Sequence, residues 1–209
     1  MVTVPAGQLA ERHAFPADAP DPEVGVGLVS KLLNHPGFYS VVAETDGRVV
    51  GSNFLDERSA APGVGPITVD PAVQNGGAGR LLMQNVMQRA AERGAPGVRL
   101  LQSAHHNRSL SLYAKLGFEV QDPVACMQGP ARKGEVHGRR VRRGAARDAQ
   151  ACNAVCRTVH GQDRAGELGD AIAQGTALAV EHDGRISAYG TDLGFFARAV
   201  GESNDDPRP

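Results

Sequence analysis

A glycine-rich loop, Gln74-Asn75-Gly76-Gly77-Ala78-Gly79, has residue types that suit the binding of a phosphate. Residues without a Cβ let consecutive backbone N–H groups turn toward one point. Where a helix begins directly after such a loop, its first N–H groups and the positive end of its dipole add to the attraction for an anion. The loop therefore predicts a phosphate site built from the main chain, and the alternative is a glycine-rich turn that only caps a helix.

Two familiar phosphate-binding loops do not fit this sequence. The P-loop of nucleotide hydrolases needs Lys and then Ser or Thr directly after its last glycine, but Arg80 follows Gly79. The dinucleotide-binding fingerprint needs a third glycine where this chain has Leu82. Neither type of nucleotide site is therefore predicted here.

A tyrosine lies about thirty residues after the loop, in the segment Asn107-Arg108-Ser109-Leu110-Ser111-Leu112-Tyr113-Ala114-Lys115-Leu116-Gly117-Phe118. The segment predicts a short helix from Ser109 to Leu116, with Asn107 as its N-cap and Gly117 ending it in the left-handed region. Tyr113 either packs against its helix or presents a phenol that donates a proton to a leaving group.

Together the two segments resemble the GNAT superfamily of acyl-CoA-dependent N-acyltransferases. The loop fits the family pattern Q/R-x-x-G-x-G/A, and the second segment is similar to N-x-x-[AS]-x-x-x-Y-x-K-x-G-F. One position departs from the pattern, because counting back from Tyr113 puts Ser109 at the small position and His106 where the family has Asn. Asn107 is therefore one residue out of register.

The resemblance implies transfer of an acetyl or similar acyl group from acyl-CoA to a primary amine of a small molecule or peptide. The amine attacks directly, without a covalent enzyme intermediate or a metal, and Tyr113 protonates the departing thiolate. The strand before the loop would splay from its neighbour and leave backbone groups for the pantetheine arm and the oxyanion. The residues to which the resemblance assigns acetyl-CoA or other acyl-CoA binding are Ile67, Thr68, Val69, Gln74, Asn75, Gly76, Gly77, Ala78, Gly79, Arg80 and Asn107.

The general base and the acceptor stay open at this point. A carboxylate at a strand end could take the amine proton through water, and two adjacent histidines precede the tyrosine helix. Exposed acids at loop boundaries and surface histidines are ordinary, so none is singled out. The candidates are Asp56, Glu57, Asp70, His105 and His106.

The elements that must position these residues follow from hydrophobic spacing. The β-branched run Ile67-Thr68-Val69 favours a strand that ends at Asp70-Pro71, and Leu82, Val86 and Ala90 lie four apart on a helix of about four turns. The other elements predicted in this half are a helix over 23–33, a hairpin of 38–42 and 49–55 joined around Asp46-Gly47, and strands over 97–102, 118–120 and 125–127.

The second half of the chain reads as a partial repeat of the first. We predict a strand over 139–142, helices over 145–160 and 164–174, and a hairpin over 177–187 that mirrors residues 39–51 with Asp-Gly-Arg at the same place. The expected fold is α/β, with a mixed, mostly antiparallel sheet flanked by helices. The expected domains are 1–130, which is GNAT-like but lacks a clear first strand and helix, and 131–209, which is the opening half of a second GNAT-like unit. This interpretation describes a tandem protein truncated at both ends, in which the second unit shapes the acceptor pocket, covers a sheet edge or mediates pairing, with a homodimer among the expected assemblies.

Composition excludes several classes of function. A net charge of −1 and 4% aromatic residues argue against a nucleic-acid partner, even though basic residues crowd the start of the second unit. That basic run is better explained as a solvated linker and strand; it comprises Arg132, Lys133, Arg139, Arg140, Arg142, Arg143 and Arg147. The three cysteines, Cys126, Cys152 and Cys156, lack a metal-ligand pattern and fit a reducing cytosol. We find no membrane-spanning apolar run and no leader, so the expected location is cytoplasmic.

Two other classes of function remain open. One is a non-catalytic acyl-CoA sensor that binds the same ligand but has no acceptor. The other is an inactive tandem remnant with a structural or interaction role, which would leave an unpaired sheet edge exposed.

Overall fold

The computed structural model describes residues 22–104, 106–121, 123, 137–192 and 198–203. These residues form two compact units: residues up to 57 together with 61–123, and residues 58–60 together with those after 136. Several predicted features lie outside the described residues, namely most of the first 22 residues, His105, the strand over 125–127, Cys126, Arg132 and Lys133.

The described residues of the first unit form three α-helices and a four-stranded antiparallel sheet. In this sheet β1, β3 and β4 all pair with β2. The elements in chain order are α1 (Pro22–Asn34), β1 (Phe38–Thr45), β2 (Arg48–Asp56), β3 (Gly63–Val64), β4 (Thr68–Val69), a 3₁₀ turn (Pro71–Val73), α2 (Ala78–Glu92) and α3 (Asn107–Lys115).

The β1–β2 hairpin closes through the Asp-Gly turn that the sequence predicts. Asp46 and Gly47 have φ values of 51° and 72°, as a two-residue type I′ turn requires. Thr45 pairs with Arg48, and a bulge then shifts the register between Ala43 and Glu44. The prediction of this hairpin is confirmed.

Helix α2 packs on the sheet through the apolar face predicted from its spacing. Leu82, Val86 and Ala90 are each exposed by 2% or less. A buried polar contact also fixes the start of the helix, because the side-chain amide of Asn53 donates to the Leu82 carbonyl at 3.3 Å. The oxygen of that amide accepts from the Phe54 N–H at 2.9 Å, so both polar ends of Asn53 are satisfied.

Two predicted strands are absent from the described part of this unit. Residues 97–102 form only a single parallel bridge, between Gly63 and Arg99, because β3 ends at Val64 and the chain then turns at Gly65 with φ of 121°. Residues 118–120 are also irregular. The Phe118 N–H bonds the Tyr113 carbonyl instead and is not available to a ladder.

In its described part, the second unit has an antiparallel sheet in the order β5-β6-β7-β8, with two α-helices. Its elements are β5 (Arg139–Arg143), a 3₁₀ turn (Ala146–Asp148), α4 (Ala149–His160), α5 (Ala165–Ala173), β6 (Leu178–His182), β7 (Arg185–Gly190) and β8 (Ala199–Gly201). Its core includes Cys152 and Cys156, which are free, buried thiols. Burial raises the pKa of Cys152 to about 11, so this cysteine behaves as an apolar core residue.

The β6–β7 hairpin repeats the geometry of the β1–β2 hairpin. Asp183 and Gly184 have φ values of 50° and 74°, and a bulge follows between Val180 and Glu181. In both hairpins two paired positions therefore separate an Asp-Gly turn from a bulge.

Arg142 of the predicted solvated run is engaged in ion pairs within the second unit. Its guanidinium makes two contacts with Asp148, at 2.6 and 2.7 Å, and one with Glu181 at 2.6 Å. The Arg142 side chain is only 18% exposed, so the solvated interpretation is wrong for this residue. None of the described helices is long and apolar enough to cross a membrane.

Candidate active site

The glycine loop is held at its beginning by two polar side chains. The Asp70 carboxylate accepts from the Ala72 N–H at 2.9 Å and pairs with Arg48 at 2.8 Å. Gln74 directly follows the 3₁₀ turn, and its side-chain amide donates to the Val69 carbonyl at 3.0 Å. These contacts tie the end of β4 to the start of the loop.

The middle of the loop is exposed and has a backbone conformation suited to an anion site. Asn75 and Gly77 have φ values of 73° and 92°, and Gly77 is the N-cap of α2. Gly77 has no side chain with which to cap the helix, so the N–H groups of the first turn stay available to a ligand. The first turn therefore offers an anion site at the positive end of a helix of 15 residues.

Helix α3 lies directly against this loop. The Arg108 guanidinium donates to the amide oxygen of Gln74 at 2.5 Å and to that of Asn75 at 2.6 Å. A Cβ added to Gly79 would meet the Leu112 side chain at 3.7 Å, which is ordinary packing distance. The helix that carries the tyrosine is thus anchored to the phosphate loop.

Arg108 is a functional candidate that the sequence predictions missed. Both of its partners are neutral amides, and among the described residues no carboxylate pairs with it. It lies in the first turn of α3, where a positive charge opposes the helix dipole. That unfavourable position was the signal available in the sequence, because it suggests a charge kept for a ligand.

Tyr113 is fixed by the way α3 ends. The N–H groups of Gly117 and Phe118 bond the carbonyls of Ala114 and Tyr113, and Gly117 has φ of 90°, as in a Schellman motif. The Phe118 ring lies 5.9 Å from the Tyr113 ring, which is the apolar contact that accompanies this motif. The predicted left-handed glycine at this helix end is confirmed.

The Tyr113 phenol remains protonated at neutral pH. Its side chain is 7% exposed, and this burial raises its pKa above the usual value, while a hydrogen bond with Ser109 lowers it. Ser109 also lies 2.6 Å from His106, measured from Oγ to Nδ1. The predicted N-cap is wrong, because His106 is the N-cap and the exposed Asn107 is the first helical residue.

The short strand before the loop has one paired edge and one open edge. Thr68 and Val69 pair with Ser52 and Gly51 of β2, and the Ser52 and Thr68 hydroxyls lie 2.9 Å apart. On its other side, β4 has no strand partner among the described residues, since the parallel bridge between Gly63 and Arg99 involves β3. Backbone groups of the 67–69 segment are therefore left outside a ladder on that side.

Two of the acids considered as a general base are engaged elsewhere. Glu57 bonds Arg89 at 2.7 and 3.2 Å and lies 3.4 Å from Arg93. Asp70 caps the 3₁₀ turn. The structure therefore does not bring either acid to the tyrosine helix, and Asp56 lies at the end of β2.

A surface groove of about 330 Å³ adjoins the loop between β1 and the start of α2. It is lined by residues 41–45 together with Gly76, Ala78, Leu81, Leu82 and Asn85. Tyr113 is not among these residues, so this groove does not connect the loop to the phenol.

Comparison with known proteins identifies the first unit. Residues 36–120 match the family model described as "Acetyltransferase (GNAT) domain". An acetyltransferase of Sodalis glossinidius (strain morsitans) is 32% identical over 107 residues, which cover 50% of this chain and 71% of that protein. The chain belongs to the GNAT acetyltransferase family. Members of this family use acyl-CoA.

Other relatives of this GNAT protein agree with the assignment. An uncharacterized N-acetyltransferase of Yersinia pestis is 27% identical over 107 residues, covering 50% of this chain and 72% of that protein. The crystal structure of a mutant protein from Bacillus halodurans superposes with a TM-score of 0.50 at 11% identity, over 58% of this chain and 84% of that one. At this identity the likeness concerns the fold alone.

Proposed function

We propose that the first unit transfers an acetyl or similar acyl group from acyl-CoA to a primary amine of a small molecule or peptide. The observation that carries this proposal is the anchoring of α3 on the glycine loop by Arg108. It joins an anion site at the start of α2 to the helix that carries a buried, protonated phenol. Acyl-CoA has a diphosphate, which an anion site can bind, and a thioester, whose departing thiolate a phenol can protonate.

The chain offers groups that suit the phosphate end of acyl-CoA. Backbone N–H groups of Gly76 to Arg80 would bind the diphosphate, with the positive end of α2 behind them. The Arg108 guanidinium, held by amides at the edge of the loop, would add charge-assisted hydrogen bonds. Gln74 and Asn75 then position Arg108, and Asn107 lies beside it as the exposed first residue of α3.

The reacting end would lie along the 67–69 segment. Its backbone groups on the open edge would hold the pantetheine arm, and an N–H of Ile67, Thr68 or Val69 would stabilise the oxyanion. The amine nitrogen forms a bond to the thioester carbon, the C–S bond breaks, and its electron pair goes to sulfur. Tyr113 gives its proton to that sulfur, and the amine proton leaves to water or to a base that we do not assign.

Calorimetric titration of the full chain with acetyl-CoA tests the binding step. We expect saturable heat in the range of about 1 μM to 1 mM that is typical of enzyme substrates. Absence of heat at millimolar acetyl-CoA would contradict the proposal. A thiol-release screen over polyamines, aminoglycosides, amino acids and peptide N-termini then identifies the acceptor, and binding without CoA release from any of them would favour the sensor alternative.

We also propose that the second unit is a partial GNAT-like unit, with domains at about 1–130 and 131–209. The repeated hairpin supports this, because Asp-Gly turns and bulges occupy matching positions at Asp46 and Asp183. Scanning calorimetry of the full chain tests it: acetyl-CoA should shift one unfolding transition and leave a second unchanged. A single transition that shifts as a whole would contradict two independent units.

A further inference from the structure

Two arginine side chains of the second unit converge on one glutamate oxygen. Arg164 is the N-cap residue of α5, and Glu167 lies in the first turn of that helix. The Nη1 atom of Arg164 lies 3.6 Å from Glu167 Oε2, and the Nε atom of Arg198 also lies 3.6 Å from this oxygen. Both distances are too long for a hydrogen bond between nitrogen and oxygen, so the carboxylate does not close on either guanidinium group.

The guanidinium of Arg164 is buried without the hydrogen bonds that a buried charge needs. The Arg164 side chain is 11% exposed, and its Nε and Nη1 atoms are enclosed with no hydrogen-bond partner among the described residues. Buried charged groups in proteins are normally both paired and hydrogen-bonded, because unsatisfied donors cost free energy. Two enclosed N–H donors therefore lack an acceptor in the described part of the chain.

Glu167 does not supply that acceptor, because another contact fixes its position. Its Oε1 atom accepts a hydrogen bond from the Thr191 hydroxyl at 3.3 Å. Thr191 is 6% exposed, and its hydroxyl also accepts from the Arg198 N–H at 3.2 Å, so it connects the glutamate to the second arginine. One carboxylate carries one negative charge. The side chains of Arg164, Glu167 and Arg198 together therefore keep an excess positive charge.

Other arginines of the second unit show how a structural ion pair closes in this chain. Arg142 contacts Asp148 at 2.6 and 2.7 Å, and Arg157 contacts Asp163 at 2.7 Å, all within hydrogen-bond distance. The two 3.6 Å contacts with the glutamate of α5 are longer than any of these. A pair that served stability alone would close in the same way, so the open arrangement indicates a site that a ligand completes.

We propose that Arg164 and Arg198 bind a small oxyanion, that is, a carboxylate or a phosphate group. Its oxygen atoms accept hydrogen bonds from the enclosed N–H groups of Arg164, and its charge balances the excess positive charge of the cluster. The Arg198 side chain is 39% exposed, so the ligand enters on its side. Because Arg164 is largely enclosed, the ligand is small. The site is separate from the glycine loop, and the inference does not depend on the proposed acyltransferase function.

Nuclear magnetic resonance of the ¹⁵N-labelled full chain tests this site directly. The Nε–H signal of Arg164 is identified as the arginine signal that is missing in Arg164→Lys. Sodium phosphate and sodium acetate are titrated separately, with sodium chloride keeping the ionic strength constant. We expect the signal to move and saturate with at least one of the two anions, at a Kd of about 0.05 to 5 mM, as two charge-assisted hydrogen bonds imply.

Three glutamine variants separate ligand binding from structure. Arg164→Gln should raise the Kd of the anion by about 10-fold or more, the loss expected for one charge-assisted hydrogen bond. Glu167→Gln should lower it by about 3- to 10-fold, because the carboxylate that competes for both arginines and repels an anion is removed. Arg157→Gln, in the half-exposed pair with Asp163, is the matched control and should keep the wild-type Kd. The backbone N–H signal of Thr191 reports binding in all three variants.

The outcomes separate a binding site from ionic screening. Saturation with phosphate alone or with acetate alone supports the site and identifies the oxyanion. A signal that moves equally when sodium chloride alone is added, or that moves linearly without saturation, overturns the proposal. Equal Kd values in Arg164→Gln and Arg157→Gln overturn it as well, as does a Glu167→Gln that binds no more tightly than the wild type. Thermal melts confirm folding, and an Arg164→Gln that unfolds is replaced by Arg164→Lys, whose Kd should rise by about 3-fold or more because lysine lacks the planar fork.

Discussion

The Arg108 guanidinium donates to the Asn75 side-chain oxygen at 2.6 Å, and this bond links the first turn of one helix to the loop that begins another. A second bond, to Gln74, comes from the other terminal nitrogen of the same guanidinium. A planar fork that binds two neutral oxygens keeps its full charge. The bond thus fixes α3 and concentrates positive charge at the loop.

Replacement of Arg108 should weaken binding more than chemistry. Arg108→Ala removes charge-assisted hydrogen bonds of about 1.5–3 kcal/mol, so the Kd for acetyl-CoA should rise by about 10- to 100-fold. Lys115→Ala, in the last turn of the same helix, is the matched control and should keep wild-type affinity. Titration calorimetry measures both, and equal Kd values would show that Arg108 serves the fold alone.

The conformation of Gly77 should matter for acetyl-CoA and not only for stability. Gly77→Ala places a Cβ at φ of 92°, a strain of about 1–2 kcal/mol that the loop relieves by changing its amide directions. Gly47→Ala, at φ of 72° in the β1–β2 turn, introduces similar strain away from the loop. Both variants should have a lower Tm, and only the first should lose affinity for acetyl-CoA. A normal Kd in Gly77→Ala would contradict a main-chain phosphate site.

The hydroxyl group of Tyr113 can be removed without disturbing the packing of the ring. Tyr113→Phe keeps the ring that contacts Phe118, so Tm and the Kd for acetyl-CoA should change little. We expect kcat to fall by about 10- to 1000-fold, the usual size of a general-acid effect. Steady-state CoA release measures this, and an unaltered kcat would mean that water or another group protonates the thiolate.

The turns and helix ends that are determined by neighbouring residues were predicted from the sequence. Asp46-Gly47 specifies its own turn because both residues accept positive φ, and Gly117 ends α3 for the same reason. The strand over 97–102 failed because its pairing depends on how far β3 runs, and β3 stops at Val64. That length is set by tertiary context that spacing does not reveal.

The sequence predicted the part of the candidate site that is built from backbone groups. It did not predict the contacts between side chains that are distant in sequence or that depend on where a helix begins. The sequence pattern of the loop from Gln74 to Gly79 was recognisable, and so was the pattern around Tyr113. The contact of Arg108 with Asn75 was missed because the two residues lie 33 positions apart. The contact of His106 with Ser109 was missed because it depends on where α3 begins. Asn107 was given the N-cap that His106 holds, since a one-residue register difference is invisible to residue preference.

Gly51 should control the position of the strand before the loop. A Cβ at this position would lie 2.6 Å from the Thr68 carbonyl oxygen and 3.1 Å from Leu82, so Gly51→Ala must displace β4 or α2. We expect a loss of about 1–3 kcal/mol in unfolding free energy and weaker acetyl-CoA binding. Gly63→Ala is the control, because its Cβ would meet only Asp56 at 3.8 Å. Urea unfolding measures the stability of both variants, and equal stability would show that β4 lies further from Gly51 than the structure indicates.

The ion pair of Arg142 and Asp148 should make the second unit sensitive to acid. Hydrogen bonds from Arg142 are the largest cause that lowers the pKa of Asp148 to about 2, from an ordinary 3.8. Because the folded pKa is depressed, the charged carboxylate stabilises the fold above pH 3.8, and this contribution is lost as pH falls toward 2.

Asp148→Asn removes that carboxylate and tests the sign of its effect. The variant should be less stable than the wild type by about 2 kcal/mol at pH 7, and the difference should shrink between pH 4 and pH 2. Asp163→Asn, in the half-exposed pair with Arg157, is the control and should cost less than about 1 kcal/mol. Urea unfolding at pH 7, 4 and 2.5 measures both, and a stability difference that stays constant with pH would mean that Asp148 acts through packing and not through its charge.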